Sequence, residues 1–203
     1  MEGIDIVDIF IKKREEIIKR YIKHSAAIYG QREKIRKIVE LIDSAENLHV
    51  YGKGRSGDIA RSFARRLKHF RYRVWFPEDT VTERIREKDV VILFSGSGET
   101  ADVITVAKEA KKAGATVISV TSFTDSTLAK YSDLIYLLPG GMRKKRGWDY
   151  LKAQLEEKEV YGGTEFENEL YLFEESLLEA IGEYKKIPKS IIAEEHRRDE
   201  LIE

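Results

Sequence analysis

Val90 to Gly114 reads VVILFSGSGETADVITVAKEAKKAG, and three segments of different character meet within it. Val90 to Phe94 is an unbroken apolar run with no polar face, the pattern of a parallel strand buried on both sides. Ser95-Gly96-Ser97-Gly98-Glu99-Thr100 interrupts it, and from Ala101 apolar residues return at helical spacing. Strand, hydroxyl-rich turn and helix in that order predict one unit of a doubly wound α/β sheet, with the turn at the strand's carboxyl end, where such sheets bind ligands.

The chain on either side repeats the alternation. Ile4, Val7, Ile11, Ile18, Tyr21 and Ile22 mark a first helix and Ile35, Ile38, Val39 and Ile42 a second, so two helices precede the first strand. Strands are expected at Leu48 to Tyr51, Val74 to Phe76, Val117 to Val120 and Leu134 to Leu138, and helices at Ile59 to Phe70, Val103 to Ala113 and Ser126 to Lys130. The fold predicted is α/β: a doubly wound, five-stranded parallel sheet flanked by helices, preceded by N-terminal helices. After Pro139 the polar stretch GGMRKKRGWDYLKAQLEEKEVYGG reads as a long excursion or flap before a final helix from about Thr164 to Tyr184, with a charged tail beyond Pro188. The 203 residues form a single domain, divided into N-terminal helices (1–45), an α/β core (46–139), the excursion (140–162) and the final helix with its tail (163–203).

Composition narrows the partners. Thirty-six basic side chains match 36 acidic ones, so no overall field favours nucleic acid or an acidic membrane surface. The chain has no run of about 18 apolar residues, and its N-terminus lacks the basic and apolar regions of a signal peptide, which predicts a cytoplasmic protein with no membrane partner. There is no cysteine, and His24, His49, His69 and His196 are not set at a metal-ligand spacing, so no metal is expected. The cluster Arg143, Lys144, Lys145 and Arg146, followed by Trp148 and Tyr150, has the ingredients of a nucleic-acid contact. The adjacent AQLEEKE offsets its charge and favours a solvated loop.

Two glycine-containing turns carry the candidate chemistry. VYGKGRSGDIARSFA, from Val50, places Gly52, Gly54 and Gly57 at the G-x-G-x-x-G spacing, with Glu78 and Asp79 about 20 residues on, as a dinucleotide fingerprint would have them. Lys53, Arg55 and Ser56 instead suit capture of a compact phosphate at a helix N-terminus, and a turn needing glycine backbone angles would give the same spacing. SGSGET is more specific. An ordinary N-cap needs one hydroxyl, whereas Ser95, Ser97 and Thr100 supply three within six residues, enough to surround a phosphate monoester. Thr121-Ser122-Phe123-Thr124-Asp125-Ser126 adds a further polar loop after the next strand.

GKGRSG after the first strand, SGSGET after VVILF, the segment TSFTDSTLAKYSDLIYLLP and GTEFE leading into the last helix resemble the sugar isomerase (SIS) domain family, and within it the 6-phospho-3-hexuloisomerases. The resemblance covers Ile35 to Pro139 well and the last helix loosely. It implies cofactor-free interconversion of 3-hexulose 6-phosphate and fructose 6-phosphate in a homotetramer, with a small-molecule sugar phosphate as the partner. Ser56, Ser95, Ser97 and Thr100 would hold the phosphate, and Gly54, Arg55 and Asp79 would contact the sugar. Moving a carbonyl between adjacent carbons through a cis-enediol requires a base; the family's G-T-x-F-E motif puts it on Glu167, with His196 matching a C-terminal histidine that reaches an active site. Two rivals stay open: another SIS isomerase, acting on a phosphoheptose or arabinose 5-phosphate, and a non-catalytic phosphosugar-sensing module. Asp79, shorter than the family's glutamate, and the acidic YGGTEFENELYLFEE, where the family's helix start is apolar, are the departures that bear on substrate choice.

Overall fold

The computed structural model describes residues 5–143 and 165–200. In chain order the described elements are α1 (Ile6–Tyr29), α2 (Arg32–Ser44), β1 (Leu48–Gly52), α3 (Arg55–His69), β2 (Val74–Trp75), β3 (Val90–Phe94), α4 (Ala101–Lys112), β4 (Thr116–Thr121), α5 (Thr127–Lys130), β5 (Leu134–Leu137), α6 (Glu165–Tyr184) and α7 (Lys189–Glu200). The strands form one all-parallel sheet in the order β2-β1-β3-β4-β5. Every residue of β1 and β3 is buried, as expected of central strands covered on both faces.

Register sets the position of the loops. Gly52 pairs with Phe94 and Phe94 with Val120, so the turns after β1, β3 and β4 leave the sheet at one level. Chain order reverses between β1 and β3, which opens a crevice between the two glycine-containing turns. The α6 stripe expected from spacing, Phe166, Leu170, Phe173, Leu177 and Ile181, is buried throughout and packs against α3, whose Phe63 and Leu67 are also buried. Full burial of each such side chain contributes about 1.5–3 kcal/mol, enough to anchor the start of α6 beside the sheet's carboxyl edge.

The two N-terminal helices attach differently. Ile38 and Ile42 of α2 enter the core, and Gln31 ahead of it accepts from Leu137 N and donates to Leu137 O (2.9 and 2.8 Å), pairing its side-chain amide with the edge strand β5. By contrast Ile6, Phe10 and Ile22 of α1 are about two-thirds exposed or more.

Two boundaries differ from expectation. Helix α3 begins at Arg55, four residues before Ile59, because Gly54 supplies the turn with a φ of 60° that other residues rarely adopt, and the helix starts at once. The charged tail beyond Pro188 is largely helical: Pro188 O accepts from Ile191 N, α7 packs on α3, and Arg71, just beyond α3, pairs with Glu194 and Glu195. Here proline opens a helix, a position where its missing N–H costs nothing. Of the excursion, 140–143 are described and 144–162 lie outside the described residues, as do Lys144, Lys145, Arg146, Trp148 and Tyr150.

Candidate active site

A cleft of about 300 Å³ occupies the crevice between the ends of β1 and β3, its walls including Arg55, Ser56, Ser95, Ser97, Thr100 and Glu167. That is the low end of small-ligand sites. Because α3 starts at Arg55, the side chains of Arg55 and Ser56 stand in its first turn, beside unpaired amides and the positive end of its dipole. The tight join is possible because Gly57 lies against Gly52: a Cβ there would come within 2.8 Å of Gly52 O. The glycine spacing is thus accounted for by the strand-to-helix join, and the ligand's identity rests on the residues between.

Those residues meet the last helix. Ser56 Oγ donates to Glu167 Oε1 at 2.9 Å, and Arg55 Nη2 stands 3.9 Å from Glu167 Oε2. Ser56 is buried and the Glu167 side chain is only 16% exposed, whereas Arg55 reaches toward solvent. Glu167 therefore presents a carboxylate to the cleft at the edge of the buried α6 stripe, with hydroxyl and guanidinium donors facing it.

On the opposite wall, SGSGET is folded on itself. Ser95 Oγ lies 3.0 Å from Thr100 Oγ1 and accepts from Gly98 N (3.1 Å), while Ser97 Oγ accepts from Glu99 N (3.2 Å). Thr100 occupies the N-cap of α4 without a side-chain capping bond. Glu99, just ahead of that N-cap, accepts from Thr127 N and Oγ1, both at 2.7 Å, at the start of α5. The loop is thereby held open over the α4 amides with its hydroxyls on the cleft side, an arrangement suited to a dianionic phosphate.

Two glycines that the sequence did not single out complete the cleft. Gly140 and Gly141, directly after β5, close the cleft beside Phe166; Ser122 fixes them by donating to Leu138 O (2.5 Å) and accepting from Gly141 N (2.9 Å). The signal was the Gly-Gly pair at a strand's carboxyl end. Lys53 also lines the cleft, held by Glu78 (2.5 Å), which in turn accepts from the buried Tyr51 hydroxyl (2.5 Å). Lys53 first, then Tyr51, holds the Glu78 carboxyl below the usual range, and burial pushes the Tyr51 phenol up. The acid after β2 that meets the cleft's rim is Glu78 rather than Asp79.

Asp79 and His196 lie elsewhere. Both border a separate groove of about 720 Å³ outside β2, lined also by Arg61, Arg65 and Trp75. Asp79 pairs with Arg61 at 2.5 Å, and the Arg61 guanidinium stacks 3.8 Å over Phe76. His196 meets His69 edge-on at 5.3 Å between centroids. The chain therefore brings together Gly54, Arg55, Ser56, Ser95, Ser97, Thr100 and Glu167 and leaves Asp79 and His196 outside their own cleft.

Comparison with known proteins gives three similarities beyond the SIS domain profile, which matches residues 41–156. An uncharacterized protein of Archaeoglobus fulgidus is 36% identical over 181 residues, 89% of this chain and 95% of its own length. A 3-hexulose-6-phosphate isomerase of Bacillus subtilis is 31% identical over 173 residues, 85% of this chain and 90% of its own. Among solved structures, a Methanococcus jannaschii protein with an inferred molecular function of 3-hexulose-6-phosphate isomerase has a TM-score of 0.77 at 28% identity, covering 91% of this chain and 97% of that one.

Proposed function

The chain belongs to the SIS domain family, and on that footing we propose that it is a cofactor-free phosphosugar isomerase interconverting 3-hexulose 6-phosphate and fructose 6-phosphate. The observation that carries the reading is the Ser56–Glu167 hydrogen bond of 2.9 Å across the cleft, which aims a carboxylate at the space the hydroxyl loop encloses. The name of the Bacillus subtilis relative supports the choice of sugar.

The chemistry follows from the placement. The phosphate sits on Ser95, Ser97 and Thr100 and the first amides of α4, and Ser56, whose one hydroxyl hydrogen goes to Glu167 in the single chain, turns it to the phosphate when the sugar phosphate binds. Glu167 takes the proton from C3 of fructose 6-phosphate to leave a cis-enediolate across C2 and C3; the O3 hydroxyl proton passes to O2, and Glu167 returns its proton to C2. Arg55, a fixed cation beside that carboxylate, stabilises negative charge developing on the enediol oxygens. Neither step calls for a redox change.

The assembly proposed is a homotetramer in the cytoplasm. The exposed apolar residues of α1 support self-association, since they present a face with no described partner in the single chain. Among the described residues, no helix is long and apolar enough to cross a membrane. In such an assembly His196 and Asp79 act on the cleft of a neighbouring copy, a role that rests on family resemblance and on their placement outside their own.

The test is turnover of fructose 6-phosphate, followed by coupling the 3-hexulose product to the aldolase that releases formaldehyde. Formaldehyde formation at an enzymatic rate is expected. Binding without turnover would favour a sensor, and turnover only of an aldose phosphate would favour another SIS isomerase.

A further inference from the structure

Helix α1 meets the start of α6 through polar side chains. His24 lies between two carboxylates of α6: Nδ1 is 2.9 Å from Glu169 Oε1 and Nε2 is 3.2 Å from Glu165 Oε1. Arg20 stands 3.6 Å from Glu165 Oε2, and Asn168 Nδ2 donates to Tyr21 OH at 2.7 Å. The histidine is 20% exposed and Glu169 only 4%. Glu165 and Glu169 are one helical turn apart, and Glu167 lies midway between them in sequence.

An imidazole is suited to this position because its two nitrogens point in opposite directions. Two carboxylate oxygens are satisfied when both ring nitrogens carry hydrogen, or when the second hydrogen sits on the buried Glu169 carboxyl. Either way the ring ties Glu165 to Glu169, two residues before Glu167 to two residues after it. The first turn of a helix is where intrahelical hydrogen bonds are missing and fraying is least opposed, and this turn carries the proposed base.

We propose that His24 is a positioning residue for the reaction: by bridging Glu165 and Glu169 it holds the first turn of α6 so that Glu167 stays opposite Ser56. The inference rests on the isomerase reading for its effect on turnover and stands on geometry alone for its effect on the helix. It assigns α1 a role at the cleft in addition to any part in assembly, through a residue some 140 positions away in sequence from the base it steadies.

The test pairs hydrogen–deuterium exchange with kinetics on the full chain. The amides of Glu169, Leu170 and Tyr171 donate to carbonyls in the first turn and report its opening. In His24→Ala they are expected to exchange about tenfold faster while those of α3 are unchanged. In the same variant kcat falls about tenfold with KM for fructose 6-phosphate within about twofold, since phosphate binding is untouched. His24→Gln, which keeps a donor for one carboxylate, falls between the two in both measurements, and it carries the test if the alanine variant does not fold. Exchange unchanged at these amides, acceleration shared equally by α3, or faster exchange with kcat unchanged would each overturn the proposal. A wild-type chain that turns over no sugar phosphate sinks the isomerase reading alone, because the exchange result still decides whether His24 fixes the turn.

Discussion

The cleft at the β1–β3 crossover and the groove outside β2 share one wall, helix α3, whose first turn serves the cleft through Ser56 and whose later turns serve the groove through Arg61 and Arg65. The cleft gathers hydroxyls, first-turn amides and one low-exposure carboxylate. The groove gathers arginines, aromatics, Asp79 and His196. Residues carried by a strand–turn–helix motif converged on the cleft because the parallel sheet aligns its turns at one level. The two residues matched singly, without a backbone motif around them, came together on the other side of α3. In the proposed assembly, the cleft is what one chain holds by itself and the groove is what it would offer to a second copy.

The largest effect should come from the cleft. Glu167→Gln keeps an acceptor for Ser56 but removes the base, and kcat should fall about 10³-fold with phosphosugar affinity near normal, measured by coupled turnover and calorimetry. His196→Ala tests the groove: turnover should fall about 10- to 100-fold if the groove serves a neighbour. Mixing the Glu167→Gln and His196→Ala chains, unfolding and refolding them together, should then restore part of the activity, because some assemblies will hold an intact cleft facing an intact groove. A fully active His196→Ala protein would confine the chemistry to the cleft. Ser95→Ala and Ser97→Ala should each weaken fructose 6-phosphate binding about tenfold, the loss of one hydrogen bond to a charged group. Unchanged affinity in both would remove the phosphate from that loop.

A last effect, on stability and not on turnover, concerns the join between α6 and α3. Glu174 of α6 is fully buried, accepting from Ser62 Oγ at 3.0 Å, with its second oxygen unpartnered; Arg66 is the facing cation. Burial pushes its carboxyl from the ordinary 4.5 up to about 7. A folded-state value above the unfolded one means that the native chain binds the extra proton between those values. Stability therefore falls as pH rises from about 4.5 to about 7, by about 3 kcal/mol in total from this group. Denaturant midpoints measured across that range should lose this component in Glu174→Gln; a variant with the same pH slope as the wild type would place the titration elsewhere.

The fold was legible because its signals are local. VVILF has no polar face, and the α6 stripe from Phe166 to Ile181 keeps helical spacing, so the buried strand and the packed helix could each be read without knowing their neighbours. Ser95, Ser97 and Thr100 were legible for the same reason, since three hydroxyls in one turn exceed what a cap requires. Residues fixed by distant contacts were not. Nothing near Ser122 in sequence indicates that it pins Gly141, and nothing near His24 indicates Glu165 and Glu169. The sequence marks only a charged tail beyond Pro188, because its helix rests on α3 and on Arg71 just beyond it, which pairs with Glu195, rather than on a strong apolar stripe of its own. The resemblance put the sugar contact on Asp79; the buried Tyr51 hydroxyl, distant in sequence, brings its neighbour Glu78 to the rim.

The central claim is that Glu167 moves a proton between C2 and C3 of a sugar phosphate held in the cleft. Fructose 6-phosphate incubated with the protein in D₂O and followed by NMR tests it most directly. Deuterium should enter at C3 with the wild-type chain and be absent with Glu167→Gln. Label at C1 instead, or equal labelling at C3 by both proteins, would contradict the account.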